Sequence, residues 1–378
     1  MAHQKIMLIS GEASGDMHAA GLVRELKKLR SDIDIFGIGG DQLQEQGMDL
    51  VYHIRQMSVL GFGDVIKQFA FFRRVFKHIV SLMNEQKPDM IILIDYPGLN
   101  LKLAKQAKKR GIPVFFYIAP QVWAWGANRI PKMAKLIDRL GVIIPFEEPL
   151  FKRAGLQTEY VGHPLMEHLD VSISKNEFFK QHNLNSLQKI VGLLPGSRVT
   201  EVRRLLPEMM NTVTELKDVQ VIISKARTVD IGIYQEILGE KHLGTLIENQ
   251  TPEIMEYSDA LLVASGTATL ESALHETPLI VVYRVDPLSY WIGKRLVKIE
   301  NIGLVNVIAG KRIVPEFIQN DFQAENVRPL LTELLLNDDV RQRITQDLRK
   351  VKEQLGAKCA SENAARIAQS MLVRTGEA

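Results

Sequence analysis

The sequence predicts an α/β protein of two Rossmann-like, doubly wound domains that face a central cleft. Its 378 residues are too many for one domain of ordinary size and are enough for two. Short apolar runs alternate with segments of helical period, which predicts parallel sheets with helices on both faces. The alternation occurs twice, on either side of a polar stretch at 172–188 that we interpret as a link and an entry helix. Ligands of such domains bind at the carboxyl ends of the strands, so each motif is judged by its position.

The apolar runs are assigned as strands in chain order. They lie at 5–10, 35–39, 90–94, 114–118, 139–143 and 158–161, and then at 190–194, 219–223, 245–248, 260–263 and 278–282. Asp16 is the expected N-cap of the first helix. We assign 1–168 to an N-terminal domain, 186–349 to a C-terminal domain, and 350–378 to a helical segment able to cross back onto the first domain.

Composition excludes several classes of protein. A net charge of +3 argues against binding of nucleic acid through phosphate contacts. The single cysteine, Cys359, cannot form an internal disulfide, which favours a reducing cytoplasm. The apolar run near the N-terminus is shorter than a signal core, and no stretch approaches the ~20 apolar residues of a membrane span. We therefore expect a soluble or peripheral cytoplasmic protein.

Two motifs of the first half follow strands at their carboxyl ends. The segment 11–16, with Ser14, Gly15 and Asp16, opens a helix whose free N–H groups can bind an anion or hydroxyls; a plain strand-to-helix turn is equally compatible. Asp95 ends another strand, at the start of a loop that runs to Asn100. A carboxylate there is suited to act as a general base, although a loop-capping aspartate fits as well.

The segment 120–125 carries two of the three tryptophans. It follows the next strand, so Gln121 and Trp123 are also expected at the carboxyl edge. Aromatic faces stack on sugars or acyl chains, and the indole N–H needs a polar partner. A hydrophobic anchor for the loop is the competing interpretation.

The first strand of the second half ends in Gly196, Ser197 and Arg198. Glycine frees the turn, serine offers a hydroxyl, and the planar cation of arginine suits phosphate oxygens. For Arg203 and Arg204, which follow on the helix, ordinary surface positions are the preferred interpretation.

A second phosphate motif begins after the strand at 260–263. Ser265, Gly266, Thr267 and Ala268 open a helix, and hydroxyls with free amides at a helix start can cradle a diphosphate. Glu271, one turn later, can accept hydrogen bonds from a ribose diol. The absence of a P-loop lysine disfavours ATP hydrolysis.

No metal site or cofactor is expected. The Asp-x-Asp pattern at 32–34 precedes its strand and lies at the amino end of the sheet. The glycine cluster at 37–40 follows the second strand and lacks the last glycine of a dinucleotide fingerprint.

The stretch 58–83 combines a broad apolar face with basic residues. This pattern suits an interfacial helix on an anionic membrane, while a helix packed on a sheet explains it equally well. The residues predicted to face the membrane are Ile66, Phe69, Phe71, Phe72, Arg73, Arg74, Val75 and Phe76.

Taken together, these motifs resemble the lipid-A-disaccharide synthase family of glycosyltransferases, which has the GT-B fold. The resemblance extends over nearly the whole chain. It is carried by GEASGD at 11–16, the loop 95–100, PQVWAW at 120–125, GHP at 162–164, LLPGSR at 193–198, SDALLVASGTATLE at 258–271, Tyr283-Arg284 and GLVNVIAG at 303–310. One departure is Leu99, where the family commonly has phenylalanine.

The resemblance implies the reaction of UDP-2,3-diacylglucosamine with 2,3-diacylglucosamine 1-phosphate. The products would be the β-1,6-linked disaccharide 1-phosphate and UDP, formed with inversion. Asp95 would be the base, Arg198 and 265–268 would stabilise UDP, Glu271 would hold the ribose, and Asn306 would lie near the donor. Ser14, Gly15, Asp16, Asn100, Gln121 and Trp123 would line the acceptor side. The enzyme would act peripherally on the cytoplasmic face of the inner membrane of a Gram-negative bacterium. A homodimer is compatible with the resemblance.

Two other functions remain compatible with the residues. A UDP-sugar epimerase of the same architecture would need no acceptor and gives no reason for the apolar, basic helix at 64–83. A membrane-recruited nucleotide-sugar-binding protein without catalysis would make Asp95 dispensable. An NAD-dependent enzyme is disfavoured because neither half begins with the expected glycine pattern.

Overall fold

A computed structural model describes residues 3–58, 65–239, 244–286, 301–356 and 359–376. The chain divides into two compact units. The first consists of Met1–Glu167 and Ala357–Ala378, and the second is His168–Gly356. Each unit is built on one parallel sheet flanked by helices.

The sheet of the first unit has seven strands, all paired in parallel. They are β1 (Gln4–Ser10), β2 (Ile33–Gly39), β3 (Asp49–His53), β4 (Met90–Ile94), β5 (Val114–Tyr117), β6 (Arg139–Val142) and β7 (Thr158–Tyr160), in the order β3-β2-β1-β4-β5-β6-β7. The order reverses between β1 and β4, and ligands of open α/β sheets bind at such a switch point. Strand β3 was not predicted, because the apolar run of this partly exposed edge strand is only three residues long, from Leu50 to Tyr52.

Eight α-helices of this unit precede the second sheet in the described residues. They are α1 (Ala13–Leu29), α2 (Asp41–Glu45), α3 (Ile54–Ser58), α4 (Val65–Gln86), α5 (Pro97–Lys108), α6 (Val122–Trp125), α7 (Ile130–Met133) and α8 (Glu147–Arg153). The predicted N-cap at Asp16 is wrong, because α1 begins at Ala13 and Glu12 occupies the cap position. Asp16 lies inside the first turn, and its side chain contacts another loop.

Alternate side chains of the strands fill two hydrophobic clusters, one on each face of the sheet. Met7 and Ile9 of β1 belong to the cluster that includes α4 and α5, whereas Ile6 and Leu8 belong to the cluster that includes α1. This alternation is the period of two that a strand imposes. Because both faces of the sheet are covered, the central strand β4 (MIILI) is apolar along its whole length.

The second unit has a sheet of six parallel strands. They are β8 (Lys189–Leu194), β9 (Val219–Lys225), β10 (Gly244–Glu248), β11 (Ala260–Ala264), β12 (Leu279–Tyr283) and β13 (Glu316–Ile318), in the order β10-β9-β8-β11-β12-β13. Its switch point lies between β8 and β11, the strands that carry the two predicted phosphate motifs. Strand β13 has three residues, too few to give a periodic signal.

The described helices of this unit are α9 (Lys175–Gln181), α10 (Val199–Val213), α11 (Ile231–Leu238), α12 (Thr251–Tyr257), α13 (Thr267–Leu274), α14 (Leu304–Ala309), α15 (Ala324–Leu336) and α16 (Asp338–Leu355). Helix α9 lies in the polar stretch between the two series. A capping box of Ser174 and Glu177 satisfies its first N–H groups.

The last helix, α17 (Ala360–Gly376), returns to the first unit and packs along α1. Ser361 donates from its backbone N–H and its hydroxyl to the two oxygens of Glu167, at 2.7 and 2.6 Å. Ala364, Ala368 and Leu372 are buried in the same cluster as α1. Among the described residues, no helix has the length and apolar character needed to cross a bilayer.

Candidate active site

The loop after β4 holds Asp95 in an unusual backbone conformation. Asp95 and Tyr96 have φ angles of 42° and 47°, in the left-handed region that side chains rarely adopt. The buried amide nitrogen of Asn100 donates to the carbonyl oxygens of Ile94, at 3.0 Å, and Asp95, at 2.8 Å. Asn100 therefore shapes the loop that presents Asp95.

The Asp95 carboxyl lies in surroundings that disfavour its charge. Burial, and then the negative charge of Glu12, raise its pKa to about 6. Glu12 belongs to the loop after β1, which meets the Asp95 loop at the switch point. Gly11 allows this approach, because a β-carbon there would lie 2.5 Å from Cγ of the Tyr96 ring.

A second carboxyl group, Glu147, lies beside Asp95 and was missed by sequence reasoning. The two side chains line one cavity of about 340 Å³, together with Gln121. Glu147 follows β6 as the first residue of α8 and is 1% exposed. Its position after a strand is the signal that identified Asp95, but the pair of glutamates at 147–148 is also what an exposed first helical turn contains.

Both oxygens of Glu147 accept hydrogen bonds. The indole Nε1–H of Trp123 donates to Oε1 at 2.8 Å, and the backbone N–H of Ile144 donates to Oε2 at 3.3 Å. Burial raises the pKa of Glu147 to about 7, the two hydrogen bonds act in the opposite direction, and the charge of Asp95 adds to the increase. Trp123 is thus tied to the carboxylate pair by its polar end.

The remaining predicted residues of the first unit lie around the β1 loop. Ser14 is exposed and Gly15 is buried. Asp16 is buried and accepts from the backbone N–H groups of Gly40, at 2.6 Å, and Gln42, at 3.1 Å. Because both its oxygens are used to hold the start of α2, we assign Asp16 to the support of the site.

In the second unit, both predicted phosphate loops line one cavity of about 380 Å³. The strands that precede them, β8 and β11, pair directly, with Leu194 opposite Val263. The predicted residues that this cavity brings together are Gly196, Ser197, Arg198, Ser265, Gly266, Thr267 and Ala268.

The first of these loops is tied to its own helix by Glu201. One oxygen of Glu201 accepts from the backbone N–H groups of Ser197, at 2.9 Å, and Arg198, at 3.2 Å. The other accepts from the guanidinium of Arg198 at 3.1 Å. The Arg198 side chain is 75% exposed, so this ion pair is solvated. Gly196, at φ 108°, leaves room for Glu201, because a β-carbon would lie 2.4 Å from its oxygen.

The second loop opens α13 with its backbone amides available. Gly266 is the N-cap residue, at φ 150°, and no side chain caps this helix. Gly266 and Thr267 are exposed, while the Ser265 hydroxyl donates to the carbonyl of Ile302 at 3.1 Å. The first N–H groups of a helix attract anions, so this end suits a diphosphate.

Two predicted donor residues lie outside this cavity. Glu271 is on α13 one turn further along, and burial raises its pKa while His275 opposes the change. Asn306 is fully buried and donates to the carbonyl of Val314 and the carboxylate of Glu316, at 2.9 and 2.7 Å. Its carbonyl oxygen accepts two backbone N–H groups, so Asn306 fixes the chain before β13 and has no group left for the donor.

Helix α4 separates its apolar and basic residues. Val75 is fully buried in the core, so its predicted membrane position is wrong: the inner stripe of this helix covers the sheet. Phe71, Phe72 and Phe76 are partly buried against the same core, whereas Arg73 and Arg74 are exposed. The side chains of Ile66 and Phe69 lie outside the described residues.

Of the two arginines assigned to ordinary surface positions, Arg203 is exposed and Arg204 is partly buried. Arg203 forms two hydrogen bonds of 2.7 Å with Glu236 of α11. Within the described ranges, no group of three or more His, Cys, Asp or Glu side chains is arranged to hold a metal ion.

A family model of lipid-A-disaccharide synthetase matches residues 6–371. The chain belongs to the lipid-A-disaccharide synthase family. A member from Syntrophus aciditrophicus is 40% identical over 381 residues and covers 99% of this chain and 100% of its own. One from Geobacter sulfurreducens is 36% identical over 373 residues, with 97% of both chains covered. The protein is therefore a glycosyltransferase of lipid A biosynthesis.

Solved structures with low identity support the fold. A UDP-GlcNAc 2-epimerase from Neisseria meningitidis, bound to UDP-GlcNAc, has a TM-score of 0.66 at 13% identity and covers 98% of this chain and 100% of its own. The kitacinnamycin glycosyltransferase has a TM-score of 0.65 at 15% identity, with 98% and 100% covered. These similarities confirm the predicted GT-B fold of two Rossmann-like domains.

Proposed function

We propose that this protein transfers the sugar of UDP-2,3-diacylglucosamine to the 6-hydroxyl of 2,3-diacylglucosamine 1-phosphate. The products are the β-1,6-linked disaccharide 1-phosphate and UDP. Family membership supports sugar transfer in lipid A biosynthesis. The observation that carries the chemical proposal is Asp95, a partly buried carboxylate at the carboxyl edge of the first sheet.

The proposed reaction is a single displacement at the anomeric carbon. Asp95 takes the proton of the acceptor hydroxyl. The hydroxyl oxygen forms a bond to the anomeric carbon as the bond between that carbon and the UDP oxygen breaks. The configuration inverts because attack and departure occur on opposite faces. A pKa of about 6 leaves Asp95 ionised at neutral pH and makes it a stronger base than an ordinary aspartate.

The departing UDP needs positive charge at its diphosphate. We assign this role to the amide groups at the start of α13 and to the Arg198 guanidinium. The ion pair of Arg198 with Glu201 is solvated and contributes little stability, so a diphosphate can replace it. Glu271 remains the proposed partner of the ribose hydroxyls, which requires access to its partly buried carboxylate.

The acyl chains of both substrates place them in a membrane. We propose that α4 lies against the anionic cytoplasmic face of the inner membrane, with Arg73 and Arg74 toward the headgroups. This surface is narrower than the one predicted from periodicity, because Val75 belongs to the core.

Product analysis tests the proposal. Purified protein is incubated with both acylated sugars in detergent micelles, and the lipids are analysed by mass and by the coupling constant at the new anomeric centre. We expect a β-linked disaccharide 1-phosphate, with one UDP released per disaccharide and none without acceptor. Release of UDP or a change of sugar configuration in the absence of acceptor would contradict transfer and favour an epimerase.

A further inference from the structure

Glu147 occupies a costly position for a residue without a function. Its side chain is nearly inaccessible and lines the same cavity as the carboxyl of Asp95. Within the described part of the chain, neither carboxyl group forms an ion pair with a lysine or arginine. Burying two like charges side by side is unfavourable, and such arrangements are concentrated at functional sites.

The contacts of Glu147 show what it holds in place. Its Oε1 accepts the indole N–H of Trp123, and the Trp123 ring packs edge-on against Phe146 at 5.0 Å between centroids. Its Oε2 accepts the N–H of Ile144, which ties the loop after β6 to the start of α8. One carboxylate thus connects the loop after β5 to the loop after β6, on the cavity of Asp95.

We propose that Glu147 is a positioning residue for the acceptor: it fixes Trp123, two residues from the cavity-lining Gln121, and forms with Asp95 a coupled carboxyl pair. This inference rests on the proposed function, because the acceptor is assigned to the cavity of Asp95. A neutral glutamine would not serve equally, since its amide presents only one acceptor oxygen to the two N–H donors.

Charge coupling follows from the shared cavity. Glu12 faces Asp95, the backbone N–H of Tyr96 donates a hydrogen bond to it, and Asp95 in turn faces Glu147. Burial raises the pKa of both carboxyl groups, and the negative charge of Asp95 raises that of Glu147 further, so the two ionisations are coupled. Removal of the Asp95 charge should therefore lower the pKa of Glu147.

The first measurement follows the Trp123 indole N–H by NMR in protein labelled with ¹⁵N-tryptophan, with the signal assigned by its loss in Trp123→Phe. We expect its chemical shift to titrate between pH 5 and 9 as Glu147 ionises. In Asp95→Asn the midpoint should move to lower pH, because the neighbouring negative charge is gone. A Trp123 signal that does not titrate, or a midpoint unchanged in Asp95→Asn, would overturn the proposal.

The second measurement compares Glu147→Gln with Glu148→Gln. Glu148 is the adjacent residue of α8 and pairs with Lys152 at 2.7 Å on the surface, so it is a matched control. Glu147→Gln should lower kcat/KM for the acceptor by about tenfold, the value of one hydrogen bond to a charged group, mainly through a higher acceptor KM. The donor KM and the Glu148→Gln variant should be unchanged; equal kinetics of the two variants would contradict the proposal.

The two hypotheses fail in different ways. If Asp95→Asn keeps its turnover but still shifts the Trp123 titration, Asp95 is not the base, while the carboxyl pair stands. If Asp95→Asn loses turnover and the Trp123 titration is unaffected, the base stands and the role of Glu147 is wrong. The titration uses wild-type protein and Asp95→Asn, so it remains informative if Glu147→Gln fails to fold.

Discussion

The carboxylate of Asp95, the proposed base, lies on a strained loop that neighbouring residues hold in shape. Two consecutive residues in the left-handed region cost of the order of 1 kcal/mol each or more. The two hydrogen bonds from Asn100 to the loop carbonyls contribute about 1 kcal/mol each and offset much of that cost. Asn100 therefore holds the backbone that presents the proposed base.

Arg198 provides a test of the donor site at the scale of one side chain. Arg198→Ala removes a cation from the cavity formed by the two phosphate loops. We expect kcat/KM for the donor to fall by roughly tenfold or more, the effect of losing one charge-assisted hydrogen bond to phosphate.

Arg203→Ala is the matched control, because Arg203 is on the same helix and pairs with Glu236 instead. Steady-state kinetics and UDP titration of both variants decide the assignment. If both variants bind UDP and turn over like wild type, Arg198 does not contact the diphosphate.

Position along the chain predicted some site residues and not others. The places of Asp95 and the two proposed phosphate loops at the sheet edges were predictable because each directly follows a buried strand. Asp16 and Asn306 are also polar residues suited to a binding site. Their side chains instead form hydrogen bonds with Gly40 and Glu316, partners that only the folded chain reveals. Glu147 was missed because its burial depends on Trp123, 24 residues earlier.

The amphipathic pattern of helix α4 includes one face that packs against the sheet and another that is exposed. Val75, Ile79 and Met83 recur at a spacing of four and are buried against the sheet. The basic residues between them remain exposed. Periodicity alone did not separate these uses, because partly buried phenylalanines widen the apolar face.

The exposed arginines of α4 allow a test that leaves the core intact. Arg73→Gln with Arg74→Gln should reduce co-sedimentation with anionic vesicles, because each basic residue near such a surface contributes about 1 kcal/mol. The control, Lys175→Gln with Lys180→Gln on α9, removes the same charge from exposed positions of the other unit. Equal vesicle binding by both double variants would show that α4 does not face the membrane.

At the scale of the whole molecule, the fold was predictable because each buried strand is marked by a continuous apolar run in its own sequence. Buried parallel strands give continuous apolar runs, and both sheets place their phosphate or carboxylate loops at the switch point. The short edge strands β3 and β13 were not predicted, because pairing with the neighbouring strand stabilises them and their sequences have no long apolar run.

The C-terminal helix ties the end of the chain to the first unit. Leu372 of α17 is fully buried there, so Leu372→Ala should lower the unfolding free energy by about 2–5 kcal/mol. UDP affinity should persist, because the proposed UDP cavity belongs to the second unit.

Leu336→Ala is the control, since Leu336 is 76% exposed at the end of α15. Thermal unfolding and UDP titration compare the two variants. Equal melting temperatures would show that α17 is not part of the core of the first unit.

The central claim is that Asp95 is the general base, and Asp95→Asn tests it most directly. Turnover with both acylated substrates should fall by roughly 10²–10⁴-fold, since the amide keeps the shape and cannot accept the proton. Wild-type kcat/KM should decline below about pH 6, where Asp95 becomes protonated. Asp89→Asn, at the opposite end of β4, should turn over normally because an amide oxygen can still accept from Lys5 N–H. Near-normal turnover of Asp95→Asn would contradict the account.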